Sequence, residues 1–218
     1  MKILDEIIKT GKLLIERGLV QGTGGNISAR DPEGRGFWIT PSGMAYDSIR
    51  NEDLVLLDFE GRVLEGFRKP SVEKELHRLV LLSRPDAGAV VHTHSVYATA
   101  VACTRRPLPP ITDLAAVIFG GEVNVADHAP IGTRELAEAA ATALGRAPAV
   151  LLANHGAVVV GADIARALDV CEILEVTAKI YVLSQVLGGA VILSPELIKK
   201  ERQDVSGRYG QGSGSQGG

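Results

Sequence analysis

The segment Gly-Ala-Val-Val-His-Thr-His at residues 88–94 constrains the fold more than any other part of the chain. Its run of small and branched apolar residues predicts a buried strand. Residues i and i+2 of a strand lie on the same face, about 7 Å apart, so His92 and His94 point the same way. Two imidazoles without partners would be costly to bury. We therefore predict that both rings bind one divalent metal ion; two core histidines satisfied by backbone groups are the alternative.

His155 is the third candidate metal ligand. It follows the apolar run 149–153 and precedes Gly156, which allows the chain to turn sharply. Three protein ligands with a fourth position open are typical of catalytic zinc sites, although imidazoles also accept other divalent metals. Of the remaining histidines, we expect His77 to be packed within a helix and His128 to be solvated in a loop.

Hydrophobic periodicity divides the rest of the chain into short strands and amphipathic helices. The predicted helices cover residues 3–18, 71–83, 95–102, 133–144 and 163–187. The predicted strands cover residues 37–40, 54–57, 62–64, 88–94, 122–125, 149–153 and 157–160. Ser71 and Thr133 are the expected N-caps of the second and fourth helices, and Gly145 is expected to end the fourth.

This order of elements does not alternate strictly between strand and helix. It predicts one α/β domain over residues 1–203, in which a central, mostly antiparallel sheet carries helices on both faces. Residues 204–218 form a C-terminal tail that is rich in Gly, Ser and Gln, and we expect its end to be disordered.

The composition limits the possible partners of the protein. The 218 residues carry a formal net charge of −3, and no dense cluster of Lys and Arg suggests nucleic acid. Apolar runs are too short for a membrane span, and acidic residues come too early for a signal peptide. Cys103 and Cys171 lie in apolar runs, so we expect two buried thiols in a reducing compartment. Together these features predict a cytoplasmic protein.

Glu73 is the first candidate for acid/base chemistry. It lies at the start of a predicted helix, where the helix dipole favours a carboxylate and where an anionic ligand also binds well. A purely electrostatic role for Glu73 and Glu75 at the helix start is the alternative.

A glycine-rich loop at residues 22–28 is the second candidate binding element. With Ser42, Gly43 and Ser71, it offers backbone N–H groups and small hydroxyls that suit a phosphate. Loops of this composition are also often ordinary turns. The sequence contains neither the dinucleotide fingerprint in its proper context nor a lysine-bearing P-loop.

Taken together, these pieces resemble the class II (zinc-dependent) aldolase/adducin family. Six segments carry the resemblance, in order and with similar spacing, over about residues 5–187. They are Gly22–Arg30, Thr40–Gly43, Lys69–Glu73, Val90–His94, Gly132–Leu136 and Asn154–Gly156.

The resemblance implies a role for each matching residue. His92, His94 and His155 would bind one Zn²⁺ per subunit, and Glu73 would be the acid/base. The residues that would hold a substrate phosphate are Thr23, Gly24, Asn26, Ser42, Gly43 and Ser71. Tyr209 would protonate or orient the aldehyde half of the substrate, although it is equally compatible with a tail aromatic that has no role. The family also implies a sheet of about nine strands and a homotetramer with active sites at subunit interfaces.

The implied reaction is reversible cleavage of a ketose 1-phosphate, similar to fuculose 1-phosphate, into dihydroxyacetone phosphate and a short aldehyde. A metal acts there as a Lewis acid for the enediolate, and a nearby carboxylate moves its proton. Glu73 favours an aldolase over the related 4-epimerases, which carry Asp at this position. The same resemblance is also compatible with a sugar-phosphate dehydratase, with a decarboxylase and, less well, with a non-catalytic adducin-like binding module.

Two positions depart from the pattern of the family. Val72 stands where many relatives have a second Ser, so the phosphate site loses one hydroxyl. Thr112 and Asp113 occupy a region that carries an aromatic donor in related enzymes. Asp113 either contacts substrate hydroxyls or only begins the following helix.

Overall fold

A computed structural model describes residues 2–206, with side chains up to residue 204. It contains one eight-stranded sheet in the order β4-β3-β2-β1-β5-β8-β7-β6. In chain order the strands are β1 Asn26–Arg30, β2 Phe37–Ile39, β3 Val55–Leu57, β4 Val63–Glu65, β5 Ala89–Thr93, β6 Val125–Ala126, β7 Ala149–Leu152 and β8 Gly156–Gly161. All neighbouring pairs are antiparallel except β6 with β7, so the predicted mostly antiparallel sheet is confirmed.

Seven α-helices lie within residues 2–206. They are α1 Lys2–Glu16, α2 Lys74–Ser83, α3 Val96–Cys103, α4 Asp113–Phe119, α5 Arg134–Leu144, α6 Ile164–Val186 and α7 Pro195–Ser206. Two apolar clusters fill the space between sheet and helices. One packs α1, α3, α4 and α6 on one face, and the other packs α2 and α5 on the opposite face. The predicted α/β architecture with helices on both faces is therefore confirmed.

The central strands are apolar because both of their faces are covered. Val90 and Val91, at consecutive positions of β5, belong to opposite core clusters and are fully buried. The same alternation along β8 places Val158 and Val159 in opposite clusters. A strand buried on both sides is nearly continuously hydrophobic. A polar side chain within such a strand therefore needs a specific partner.

Several sequence predictions differ from the structure. Helix α2 begins at Lys74 with Glu73 at its N-cap position, because a turn at 72–73 separates Ser71 from the helix. Residues 122–125 were predicted as a strand, but β6 covers only Val125–Ala126. Cys103 ends α3 and is exposed, so the prediction of a buried thiol was wrong there, while Cys171 is buried as expected.

The N-cap predicted for α5 is confirmed. The hydroxyl of Thr133 accepts a hydrogen bond from the backbone N–H of Leu136 at 3.3 Å, and Gly145 ends the helix with a φ of 50°. Strand β1 and helix α7 were not predicted, whereas α4 begins at Asp113 and so agrees with the alternative in which that residue begins a helix. Among residues 2–206, no helix is long and apolar enough to cross a bilayer.

Candidate metal centre and active site

The carboxyl end of strand β5 positions the first two histidines. His92 is a β5 residue opposite Asn26 of β1 and Val158 of β8, and His94 follows the last residue of β5. His92 is fully buried, whereas His94 is only partly buried and lines a cavity next to the cluster. The two Nε2 atoms lie 2.9 Å apart. The period of the strand therefore brings both rings to one point, as the sequence predicts.

A tight turn between β7 and β8 delivers the third histidine. The backbone N–H of His155 donates to the carbonyl of Leu152 at 3.0 Å, and Asn154 has a φ of 58° in the left-handed region. Gly156 is required next because a Cβ there would lie 2.3 Å from the carbonyl oxygen of Thr93. The turn thus pushes His155 against the end of β5.

The three rings form a compact cluster. Their centroids are 4.7 to 5.2 Å apart, and one nitrogen from each of His92, His94 and His155 lies within 4.8 Å of the others. Neither ring nitrogen of His155 has a hydrogen-bond partner among the described residues, although both are buried. Buried polar atoms are normally satisfied. A divalent cation fits these residues because it would accept the nitrogen lone pairs that otherwise lack a partner.

Burial keeps the three imidazoles neutral. Desolvation lowers the pKa of His92 well below its usual value, and the neighbouring rings of His155 and His94 lower it further. Desolvation also lowers the pKa of His94 and of His155, while the Glu73 carboxylate partly opposes both shifts. Neutral imidazole is the form that binds a metal. The cluster is therefore electrostatically prepared for a cation.

Glu73 lies beside the metal cluster at the start of α2. It is only 4% exposed. Its Oε2 is 3.3 Å from Nε2 of His92, and its Oε1 is 3.5 Å from Nε2 of His155. Asn26 donates its side-chain N–H to Oε2 at 2.8 Å, whereas Oε1 has no hydrogen-bond partner among residues 2–204. A carboxylate in this position can approach a metal or exchange a proton with a ligand bound next to it.

One cavity of about 180 Å³ joins the metal cluster to the glycine loop. All six residues that were predicted to hold a phosphate line it, together with Glu73, His94 and His155. The six are Thr23, Gly24, Asn26, Ser42, Gly43 and Ser71. Larger cavities elsewhere lack this combination of residues. The structure thus brings the predicted residues together around one cavity.

Other residues singled out in the sequence lie apart from this cavity. Asp113 is the first residue of α4, with Thr112 as its N-cap, and lines a different cavity between α4 and α6. His128 is exposed, as expected. Tyr209 lies outside the described residues.

Two residues of the site were missed by the sequence reasoning. Ile131 lines the cavity and is 64% exposed, but it lies in a loop with no periodicity that could reveal it. His77 was expected only to be packed, yet both of its ring nitrogens are hydrogen-bonded next to Glu73. The spacing of Glu73 and His77, four residues apart at a helix start, was the available signal because such residues share a helix face.

The geometry defines a class of protein. One fully buried and two partly buried histidines, all neutral, form a metal-dependent catalytic site rather than a structural metal site, because a carboxylate lies beside them and the cavity is lined by the glycine loop. The comparisons with known proteins support the same class. The sequence model of the class II aldolase and adducin N-terminal domain matches residues 5–182.

Similar proteins cover nearly the whole chain. A 5-deoxy-D-ribulose 1-phosphate aldolase from Bacillus thuringiensis is 38% identical over 97% of this chain and 97% of its own length. An L-fuculose phosphate aldolase from Escherichia coli O6:H1 is also 38% identical, over 90% of this chain and 91% of its own. A solved L-fuculose 1-phosphate aldolase superposes with a TM-score of 0.90 at 40% identity, covering 94% of this chain and 96% of the other.

The chain therefore belongs to the class II aldolase/adducin family. It is a class II aldolase, a carbon–carbon lyase, and its three histidines form the metal site typical of class II (zinc) aldolases.

Proposed function

We propose that the protein reversibly cleaves a ketose 1-phosphate, similar to fuculose 1-phosphate or 5-deoxyribulose 1-phosphate, into dihydroxyacetone phosphate and a short aldehyde. The observation that carries this proposal is the single cavity shared by the metal cluster, Glu73 and the glycine loop. The names of the similar enzymes, which are aldolases of deoxyketose 1-phosphates, support the same substrate class.

The glycine loop binds the phosphate in this proposal. Thr23 and Gly24 lie at one side of the cavity, and Ser42, Gly43 and Ser71 line it as well. The hydroxyl of Ser71 already accepts the backbone N–H of Glu73 at 3.2 Å, so its own O–H is free to donate to an anion. Backbone N–H groups and hydroxyls in a concave loop suit phosphate oxygens. The phosphate thereby fixes the ketone end of the substrate near the histidines.

The metal is zinc in this proposal, held by His92, His94 and His155. A divalent metal supplies a Lewis acid that withdraws negative charge from the ketone and the adjacent hydroxyl oxygen. The three histidines are neutral ligands, so they do not offset the positive charge with which the cation would attract these oxygens. No other cluster of three potential ligands occurs among the residues that the structure describes.

Glu73 carries the proton in the proposed reaction. The bond between C3 and C4 of the ketose breaks, and its electron pair stays on C3 as an enediolate. The Glu73 carboxylate takes up the proton of the C4 hydroxyl as the aldehyde forms. Glu73 then delivers a proton to C3, which completes dihydroxyacetone phosphate, and the reverse direction removes it again. Its Oε1 is suited to this transfer because it has no hydrogen-bond partner among the described residues and lies 3.5 Å from Nε2 of His155, a residue that lines the cavity.

The mouth of the cavity favours an aldehyde that ends in an apolar group. Ile131 lines the cavity and is 64% exposed. Its loop contacts the phosphate-loop segment at Val72, since a Cβ at Gly132 would lie 2.9 Å from the carbonyl oxygen of Val72. Exposed apolar side chains at a binding site gain free energy when a ligand covers them. A methyl-ended deoxy sugar fits this surface better than a fully hydroxylated one.

The proposal includes a homotetramer with active sites at subunit interfaces. The second half of α6 and the segment after it expose a run of large apolar side chains. They are Val176, Ile180, Leu183, Val186, Leu187 and Val191. Contiguous exposed apolar surface of this kind typically marks an interface. Tyr209, proposed to protonate or orient the aldehyde half, lies outside the described residues. Light scattering of the purified protein would give four times the mass of 23.0 kDa.

The decisive experiment is a coupled assay for dihydroxyacetone phosphate over a panel of ketose 1-phosphates. The panel contains methyl-ended and hydroxymethyl-ended substrates of matched length and stereochemistry, and each assay is repeated after treatment with a chelator. We expect release from at least one methyl-ended substrate, abolished by the chelator and restored by zinc. Metal-loaded protein that releases no dihydroxyacetone phosphate from any member would refute the proposal and favour a decarboxylase.

A further inference from the structure

A buried chain of hydrogen bonds runs from Glu73 into the core of the protein. Asn26 donates its Nδ2–H to Oε2 of Glu73 at 2.8 Å, and Nε2 of His77 is hydrogen-bonded to Oδ1 of Asn26. Nδ1 of His77 lies 2.7 Å from the hydroxyl oxygen of Ser28. All four side chains are at most 5% exposed. The chain thus connects the proposed acid/base to two residues that do not line the cavity.

The carboxylate dictates the direction of every bond in this chain. An ionised Glu73 can only accept hydrogen bonds, so the amide N–H of Asn26 must face it and the amide oxygen must face His77. His77 must then carry its proton on Nε2 in order to donate to that oxygen. Its Nδ1 consequently accepts from the hydroxyl of Ser28. Burial lowers the pKa of His77 to about 3, which keeps the ring in this neutral form.

The two oxygens of Glu73 are unequal as a result. Oε2 is occupied by Asn26, which cannot turn its amide without placing an oxygen against the carboxylate and an N–H against the N–H of His77. Oε1 has no hydrogen-bond partner within the described part of the chain. We propose that His77 is a positioning residue: through Asn26 it fixes the rotation of the Glu73 carboxylate and leaves Oε1 as the oxygen that exchanges the proton with the substrate.

This inference rests on the proposed function of Glu73, and it predicts a defect confined to proton transfer. Substituting His77 would leave the three metal ligands in place and, of the six proposed phosphate-binding residues, would release only Asn26, because His77 lines neither the metal cluster nor the cavity. Asn26 would become free to rotate, and Glu73 would lose its fixed orientation. A misplaced base slows proton transfer strongly, since general acid/base catalysis raises the rate of such a step about 10²- to 10⁴-fold.

Two substitutions of His77 form a matched pair. In His77→Gln, the Nε2 of the new amide takes the place of the imidazole Nε2 and still donates to Asn26. In His77→Leu, the side chain has no donor. The measured quantities for zinc-loaded protein are the exchange of the C3 proton of dihydroxyacetone phosphate with deuterated solvent, kcat and KM for cleavage, zinc content, and inhibition by inorganic phosphate.

We expect His77→Leu to slow proton exchange and kcat about 100-fold, while KM, phosphate inhibition and zinc content change less than about threefold. His77→Gln should recover proton exchange to within about fivefold of the unsubstituted protein. Ser28→Ala removes only the distal hydrogen bond and tests the same chain if His77→Leu does not fold; it should lower proton exchange a few-fold at unchanged KM.

The inference is overturned if His77→Leu or Ser28→Ala exchanges the proton at the normal rate. It is also overturned if zinc or phosphate binding falls in parallel with proton exchange, or if His77→Gln is as impaired as His77→Leu, because either result indicates a general structural role. A different outcome tests the proposed function itself. If unsubstituted, zinc-loaded protein neither exchanges this proton nor cleaves any ketose 1-phosphate, the proposed aldolase reaction is refuted, and the inference about His77 is refuted with it.

Discussion

Nδ1 of His92 lies 3.0 Å from the backbone carbonyl oxygen of Ala157 on the neighbouring strand. A carbonyl only accepts, so Nδ1 carries the proton and Nε2 presents its lone pair to His94 and His155. A backbone partner of this kind fixes the tautomer and orientation of a metal-binding imidazole. The pairing of β5 with β8 therefore sets up the metal site as well as the fold.

Glu73→Gln tests the proton-transfer role of the carboxylate. The amide has nearly the same shape and its oxygen still accepts from Asn26, but it cannot take up a proton. We expect kcat to fall by about 10²- to 10⁴-fold with little change in metal content. Steady-state kinetics and elemental analysis of the same sample would check this. Retention of more than a tenth of the activity would assign the proton transfer to another group.

Val72→Ser tests the departure from the family pattern in the phosphate loop. The new hydroxyl would stand next to Ser71 at the cavity, where it can donate to the bound phosphate. A hydrogen bond to a charged group contributes about 1.5 kcal/mol or more, so KM for a ketose 1-phosphate should fall roughly tenfold. An unphosphorylated ketose is the control substrate. Equal effects on both substrates would indicate that residue 72 does not contact the phosphate.

Gly24→Ala tests the close approach of the glycine loop to the metal cluster. A Cβ at this position would lie 2.9 Å from Nδ1 of His94 and 3.0 Å from the carbonyl oxygen of Gln21. Because His94 must move, we expect metal affinity to fall at least tenfold. Gly121→Ala is the matched control, since a Cβ there meets nothing within 4 Å. Titration with a competing chelator measures the difference; equal affinities in both variants would count against the contact.

His77 should make the protein sensitive to acid. Burial lowers its pKa from 6.5 to about 3 in the folded state. Below pH 6.5 the unfolded chain therefore binds a proton at His77, whereas the folded chain does not bind it until about pH 3. The contribution of His77 to the free energy of unfolding is complete above pH 6.5 and is lost as the pH falls from 6.5 to about 3. The loss amounts to about 1.4 kcal/mol per pH unit.

Urea denaturation of metal-free protein at several pH values between 7 and 4.5 measures this effect. His77→Gln has no titrating group at this position, whereas the other histidines are common to both proteins. We expect the free energy of unfolding to fall less steeply with decreasing pH in the variant. Parallel pH profiles for the two proteins would show that His77 does not contribute.

The sequence predicted the parts of the site that depend on local periodicity. His92 and His94 share a face because side chains of a strand alternate, and Thr133 caps α5 because its hydroxyl reaches an N–H three residues on. The fold class followed from the order of apolar runs. A single histidine at a turn is ambiguous, so His155 was predicted as a ligand only because His92 and His94 need a third partner for a metal ion.

The remaining features depend on contacts between distant residues. Ser28 meets His77 across 49 positions, and no local pattern reveals such a pair. Strand β1 was missed because glycines precede it and small polar residues occupy it. Helix α7 was missed because half of its residues are charged and, among its residues up to 204, Ile198 alone is buried. Cys103 was expected to be buried from its apolar neighbours, but it lies at the exposed end of α3.

The metal content of His92→Ala protein, measured together with its cleavage activity, tests the central claim most directly. His92 supplies a fully buried nitrogen whose orientation is fixed by Ala157, so its loss leaves only two histidine ligands. We expect one zinc ion per chain in the unsubstituted protein, less than about a tenth of that in the variant, and no cleavage by the variant. His92→Ala protein that retains stoichiometric zinc would contradict the assignment of the metal site.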